Sequence, residues 1–387
     1  MRRSAILACL AVVLVGMLAP SATQAAATPP KIDVGAPSAI LVEASTGQTI
    51  FSKNAQEERA PASMTKVMTL HLALQALRTH RARVTDPVSV SDNAYRLGGS
   101  QIWLEPGETI ALGQLLRAIA IGSANDACVA VAEHLAGSES AFVAQMNAEA
   151  KRLGMTHTHY ANSHGLDADG HYTTAQDMAI LARAVVTDPG LLQLTSQRED
   201  RTIRDGKGGH LWLVNTNRLL GKVPGLDGLK TGYTGKAGYC LTATAQRQGL
   251  RLVAVVMGDA TSKERFADIT TLLQSGFSNF EAVLLAKGGQ PLGSVKVLRG
   301  TGTDVPVVVA RDVHAVRPRG EALTVKLQPK LPQELRAPVR KGQAVGEAEI
   351  LSAGQKIASV PLIAARGVAR ATWIGILTAV LRQAVQF

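Results

Sequence analysis

A mixed α/β (α+β) domain, followed by a small all-β domain and a terminal amphipathic helix, is the fold class that the 387-residue sequence predicts. Three observations predict it. Apolar residues follow strand-like and helical periods by turns across 28–287, the mark of a mixed domain. From Pro291 the helical period gives way to short alternating segments separated by Gly and Pro, which reads as an all-β domain over 288–362. The last stretch, 363–387, reads as a helix whose centre, 371–381, lacks charge.

The chain begins with Arg2-Arg3, an apolar run over 5–19, Pro20 and the small residues Ala25-Ala26-Ala27, an export signal spanning 1–27. Cys9 lies inside the apolar run rather than at its end, which argues against lipid attachment there. Beyond the signal only Cys128 and Cys240 remain, both in apolar contexts, and two buried thiols are expected rather than a disulfide. The remaining 360 or so positions exceed what one core usually organises, so two domains are expected. Formal net charge is +11, but 291–387 alone holds 14 Lys+Arg against 6 Asp+Glu, whereas 28–290 is nearly balanced at 25 against 24. For an exported chain this excludes nucleic acid as the natural partner and favours anionic lipid headgroups or acidic wall polymers.

Taken in order, 39–43 and 48–51 flank Ala44-Ser45-Thr46-Gly47 and read as a β-hairpin. Next come Pro61-Ala62-Ser63-Met64-Thr65-Lys66, where serine and lysine stand three apart as the apolar run Val67, Met68, Leu70, Leu72, Leu74, Leu77 begins. That spacing places both on one helical face. Ser63 is a candidate nucleophile and Lys66 its base, because a lysine in a closed pocket can lose enough basicity to accept a hydroxyl proton. A helix start also favours negative charge developing at Ser63. The same string would serve as an ordinary capped helix start.

Helices are expected over 112–121 and 124–136, with Gly122-Ser123-Ala124-Asn125-Asp126 in the break between them, where a turn can aim Ser123 and Asn125 into a pocket or use them as caps. Trp103, beside the Pro106-Gly107 turn, is either a cleft wall or a packing residue. A helix over 141–153 leads to the loop 154–172, which holds His157, His159, His164 and His171 with Asp167 and Asp169. Their spacing follows no familiar ligand pattern, so no metal is assigned and the loop is expected to form the cleft floor. Thr173-Thr174 then caps a helix running to Val186. Between 191 and 225 the pattern alternates with turns, and Arg218 there is either a carboxylate-binding guanidinium or an exposed structural arginine.

Lys230-Thr231-Gly232-Tyr233-Thr234 opens a strand continuing through 239–245, 252–257 reads as a fully buried strand, and a helix over 263–280 closes the first domain. In the terminal helix, Trp373, Ile376, Leu377, Val380 and Leu381 form an apolar side between Arg366, Arg370 and Arg382. Too short to span a bilayer, it suits an anionic membrane interface, the alternative being packing on the second domain or in an oligomer.

The order Ser-x-x-Lys, Ser-x-Asn, Lys-Thr-Gly is shared by penicillin-binding proteins and class A β-lactamases. With Asp227-Gly228-Leu229-Lys230-Thr231-Gly232, His164-Gly165-Leu166-Asp167 and Ser123-Ala124-Asn125-Asp126-Ala127-Cys128, the chain resembles the D-alanyl-D-alanine carboxypeptidases among low-molecular-mass penicillin-binding proteins. The resemblance covers nearly the whole chain and departs from the family pattern at Ala124, usually glycine, and Tyr233, often histidine. It implies a β-lactamase/transpeptidase-like domain with a central antiparallel sheet and a helical subdomain. It also implies an acyl-enzyme on Ser63 formed from a peptidoglycan stem peptide ending in D-Ala-D-Ala, with β-lactams as covalent inhibitors and no cofactor.

In that setting Lys66 is the base and Ser123 relays a proton. Asn125 holds the substrate amide or the lysine, while Lys230, Thr231 and Arg218 meet the terminal carboxylate. Gly232 lets the substrate backbone approach, and Lys230 lowers the Lys66 pKa. The amides of Ser63 and Tyr233 form the oxyanion hole. The enzyme would act on the periplasmic side of the membrane. An endopeptidase, a β-lactamase and an inactive wall-binding protein remain competitors, although the Glu-x-x-Leu-Asn string of class A β-lactamases is absent from the sequence. The preferred stem peptide and the oligomeric state are left open.

Overall fold

The computed structural model of the protein describes residues 32–204, 209–321, 325–352 and 354–373. The expected export signal and residues 374–387 of the expected terminal helix lie outside them.

In chain order, strands β1 (Ser38–Glu43) and β2 (Thr49–Lys53) precede a 3-10 turn, Ala62–Thr65, that runs into α1 (Lys66–Arg78). Then come β3 (Pro87–Ser89), α2 (Asp92–Tyr95), β4 (Thr109–Ala111), α3 (Leu112–Gly122), α4 (Asn125–Ala136) and α5 (Glu139–Leu153). After the histidine-rich loop follow α6 (Ala175–Val185), α7 (Pro189–Thr195) and the ribbon β5 (Glu199–Arg204) with β6 (His210–Val214). Strands β7 (Leu226–Thr234), β8 (Gly238–Arg247) and β9 (Leu250–Asp259) lead to α8 (Ser262–Asn279). The rest is β: β10 (Phe280–Ala286), β11 (Pro291–Leu298), β12 (Asp304–Val309), β13 (Val313–Pro318), β14 (Val325–Lys330), β15 (Glu334–Arg336), β16 (Ala344–Ser352) and β17 (Gln355–Ala364).

The central sheet has the order β2-β1-β9-β8-β7 and is antiparallel throughout. Strand β9 shows why 252–257 is apolar at every position. Leu252, Ala254 and Val256 face a core shared with α8, while Val253, Val255 and Met257 face the core of the helical subdomain. A strand covered on both faces has no reason to alternate in polarity. Helix α1 is enclosed too, with Val67, Met68, Leu70, Leu72, Ala73 and Leu74 all buried. The helix starts follow side-chain chemistry: Ser138 Oγ accepts from the Ala141 amide, Thr174 Oγ1 from Asp177, and Thr261 with Glu264 closes a capping box on α8. Cys128 and Cys240 are free buried thiols, their pKa values pushed up to about 12 and about 11 chiefly by burial.

Two expected boundaries move. The change to β structure comes at Phe280 rather than 288, because β10 pairs with β13. This ribbon ties the two parts together: Gln48 donates to the Val316 carbonyl (2.9 Å) and accepts from its amide (3.0 Å), and Val316 joins the core under α8. The helix expected from residue 363 does not begin there. Ile363 and Ala364 are the end of β17, paired with β12, and Val368 bridges to Val339 and is buried in the β-domain core. Small apolar residues interleaved with Arg366 and Gly367 mimic a helical period, but β12 pairs with Ile363 and Ala364 as strand and Val368 bridges to Val339.

Candidate active site

Three elements of different origin meet at the 3-10 turn: the start of α1, the break between α3 and α4, and the edge strand β7. Ala62 takes a left-handed φ of +47°, which costs an L-residue about 1–2 kcal/mol. The neighbours hold it there. On one side is Gly165 (φ +93°), where a Cβ would stand 2.0 Å from the Ala62 carbonyl oxygen. On the other is Gly232, where a Cβ would stand 3.0 Å from both the Ala62 Cβ and the Pro61 oxygen. Gly232 is therefore required for the close approach of β7 to the protein's own turn; the sequence reading had given that reason to the substrate backbone.

This turn presents Ser63, half-buried, above a fully buried Lys66. Lys66 Nζ lies 2.9 Å from Ser63 Oγ, 2.6 Å from Asn125 Oδ1 and 2.5 Å from the His164 carbonyl oxygen. Burial lowers its pKa to about 8, against the raising influence of Cys128 and Asp126. Asn125 is itself anchored, its side-chain amide donating to the Gly98 carbonyl (2.7 Å) and its backbone amide to that of Ser100 (2.7 Å). Asp126 collects the Ile102 and Leu104 amides (3.0 and 3.2 Å), which fixes the loop bearing the exposed Trp103. Ser123 ends α3 in a left-handed conformation (φ +63°) and is 4% exposed.

Lys230 is 1% exposed, and its pKa is driven well below the usual lysine value by burial first and by the Lys66 charge second. The sequence reading gave both a closed pocket and Lys230 as causes of the Lys66 shift; burial is what lowers it, and burial is also the first cause at Lys230. Lys230 Nζ donates only to the Thr231 carbonyl (3.2 Å) among the described residues. Thr231 Oγ1 donates to Thr216 Oγ1 (2.6 Å), joining β7 to the segment 215–217. Tyr233 is 56% exposed and packs on Tyr239 with ring centroids 4.3 Å apart.

The histidine-rich loop is built into the scaffold. The Asn162 side chain accepts from the His164 and Gly165 amides and donates to the Leu166 carbonyl, while Thr69 Oγ1 donates to the Ser163 carbonyl. His171 accepts the Ala161 amide at Nδ1, so its Nε2 donates to Thr65 Oγ1 at 2.9 Å, and Thr65 donates in turn to the Ala62 carbonyl. Burial holds His171 and His164 neutral, at about 4 and about 3.

Two residues escaped the sequence reading. Arg265, on α8, is buried behind β7 and donates to the carbonyls of Gly232 (3.2 Å) and Cys240 (3.4 Å). Thr216 is the hydroxyl partner of Thr231. Neither sits in a recognisable string; only the capping box that fixes the phase of α8 hinted at Arg265. Arg218 is exposed and lines a groove with Arg198, Glu199 and Lys222.

Residues 22–261 match the family model described as D-alanyl-D-alanine carboxypeptidase, and 280–370 match that of the penicillin-binding protein 5 C-terminal domain. The chain is 41% identical over 343 residues to the D-alanyl-D-alanine carboxypeptidase DacF of Bacillus subtilis, covering 88% of each. It is 36% identical to DacA of Escherichia coli, covering 89% of this chain and 86% of the relative. The structure of penicillin binding protein 5 from Haemophilus influenzae superposes with a TM-score of 0.71 at 31% identity, over 89% of this chain and 100% of that one. With the turn, the lysine pair and the edge strand converging as they do, the chain belongs to the D-alanyl-D-alanine carboxypeptidase family.

Proposed function

We propose that the protein removes the terminal D-alanine from peptidoglycan stem pentapeptides through an acyl-enzyme on Ser63. The observation that carries the mechanism is the set of partners around Lys66 Nζ. Asn125 Oδ1 and the His164 carbonyl can only accept, so they take the two N–H groups of a neutral lysine. The lone pair is then left toward Ser63 Oγ at 2.9 Å. A pKa near 8 keeps a useful fraction of that neutral form near neutral pH.

Ser63 Oγ attacks the carbonyl between the two D-alanines and its proton passes to Lys66. The C–N bond breaks, and the proton returns to the leaving amine with Ser123 as relay. Water then attacks the ester, Lys66 takes its proton and returns one to Ser63, and the shortened peptide leaves. Asn125 orients both Lys66 and the substrate amide. The amides of Ser63 and Tyr233 stabilise the oxyanion, a reading supported by the close packing of Gly232 on the turn that bears Ser63. The terminal carboxylate meets Lys230 and Thr231 at the free edge of β7, and its charge offsets the burial that lowers the Lys230 pKa. No step calls for a cofactor.

A β-lactam fits the same attack and leaves Ser63 acylated. The protein acts on the periplasmic side of the cytoplasmic membrane, held by its C-terminal segment at an anionic surface; no helix among the described residues is long and apolar enough to cross a membrane. Incubation of the purified protein with a synthetic D-Ala-D-Ala pentapeptide tests the function. Release of one D-alanine, lost in Ser63→Ala, is expected. Cleavage of cross-linked dimers with no release from the pentapeptide would replace this reading with an endopeptidase.

A further inference from the structure

Arg265 is 6% exposed, and the hydrogen bonds of its guanidinium go to uncharged oxygens. Nη1 donates to the carbonyls of Gly232 (3.2 Å) and Cys240 (3.4 Å), and Nη2 to Ser262 Oγ (3.1 Å). Nε is buried with no partner among the described residues. The side chain springs from near the N-terminus of α8, where the helix dipole disfavours a cation, and burial pulls its pKa down. An arginine nevertheless stays charged. The fold therefore carries a costly charge and directs it at the backbone of β7 and β8.

The contact falls on one particular peptide. The Gly232 oxygen belongs to the same peptide unit as the Tyr233 N–H, the donor assigned to the oxyanion hole. That unit is trans, since among the described residues only Gly228-Leu229 and Ala337-Pro338 are cis, so its C=O and N–H point opposite ways. Cys240 is the partner of Gly232 on β8, and Nη1 reaches both oxygens, which sets the Gly232 oxygen on the β8 side. The Tyr233 N–H is thereby turned to the free edge of β7. A second contact converges on the same residue: the guanidinium lies 5.4 Å from the Tyr239 ring, which packs on Tyr233 with centroids 4.3 Å apart. The charge also reaches the cleft, where it is among the causes that lower the Lys230 pKa.

We infer that Arg265 is a positioning residue for acylation: its guanidinium grips the Gly232 carbonyl, aims the Tyr233 N–H at the developing oxyanion and makes that N–H a stronger donor. A cationic hydrogen bond to a peptide oxygen withdraws electron density from the peptide nitrogen, so bonds at the two ends of one peptide strengthen each other. Because the oxyanion forms only in the transition state, the effect falls on the acylation step rather than on binding. Losing a whole oxyanion donor costs about 100- to 1,000-fold, so weakening one should cost about tenfold.

The inference rests on the acyl-enzyme reading with Tyr233 in the oxyanion hole, and one experiment separates the two. The full-length protein is acylated with penicillin isotopically labelled at the β-lactam carbonyl. The rate is followed against penicillin concentration, and the infrared band of the resulting ester carbonyl is recorded. In the unmodified protein this band should lie below that of the same adduct after denaturation, the mark of a carbonyl held by donors. Arg265→Met should lower the limiting acylation rate about tenfold, leave the half-saturating concentration unchanged and move the band toward the denatured position. Arg265→Gln, which keeps a neutral donor on a shorter stem, should move both in the same direction by less, and it carries the test if the methionine variant does not fold. A folded variant with the unmodified rate overturns the inference. So does a slower variant with an unmoved band, which marks Arg265 as a packing residue. A band already at the denatured position in the unmodified protein rejects the oxyanion-hole reading, and no adduct on Ser63 rejects the acyl-enzyme itself.

Discussion

Gly165 lies so close to Ala62 that a Cβ on it would stand 2.0 Å from the Ala62 carbonyl oxygen. That same oxygen accepts the Thr65 hydroxyl at 2.8 Å, so the loop after α5 and the nucleophile turn share one atom as their meeting point. The φ of +93° at Gly165 is a second bar to any side chain. Gly165→Ala should push the turn away from the loop, carrying Ser63 off the Lys66 nitrogen and the His164 carbonyl off Lys66. We expect acylation by penicillin to slow by at least about 100-fold, since an ångström of misplacement costs that much, with a lower melting temperature. Labelling at the unmodified rate would show that the clamp does not position Ser63.

The pH dependence of acylation follows from Lys66. The neutral amine is the working form, and burial lowers its pKa to about 8. The second-order rate of acylation should rise with pH and level off above about 8. The stability sign is the same: the folded chain holds fewer protons on Lys66 than the unfolded chain between about 8 and the usual lysine value of 10.5, so Lys66 contributes increasing stability as pH climbs through that window. A rate profile flat from about pH 6 to about pH 9 would assign the base elsewhere.

Asp259, at the end of β9, shares its buried site with Asp268 of α8, whose carboxylate accepts the Ala36 amide at 2.7 Å. Burial, then the neighbouring Asp268, push the Asp259 pKa up to about 7. An acid whose folded pKa is raised holds its proton in the folded chain, so its stabilisation is full below the unfolded value and is lost as pH rises through about 7. Asp259→Asn cannot ionise and offers Asp268 an N–H. The melting temperature of this variant should fall less than that of the unmodified protein between about pH 5 and about pH 8. Parallel curves would sink the idea that Asp259 holds its proton in the folded chain.

Much of the fold was legible because period and burial coincide: helices α3, α4 and α5 and the doubly covered β9 follow from apolar spacing alone. The grouping of Ser63 with Lys66 was legible too, since three residues of helical rise put them on one face. Long-range packing was not. That Gly232 is spent on Pro61 and Ala62, that Arg265 reaches over β7 from α8, and that a His164 carbonyl completes the Lys66 shell all depend on which surfaces meet. At 363–364 the local pattern favoured helix and pairing with β12 decided for strand.

The most direct measurement is mass spectrometry of the penicillin-treated protein with the modified peptide sequenced, run beside Lys66→Ala at matched times. The account predicts one adduct per chain, located on Ser63, formed at least about 1,000-fold more slowly when Lys66 is absent. An adduct on another residue, or labelling of Lys66→Ala at the unmodified rate, would contradict it.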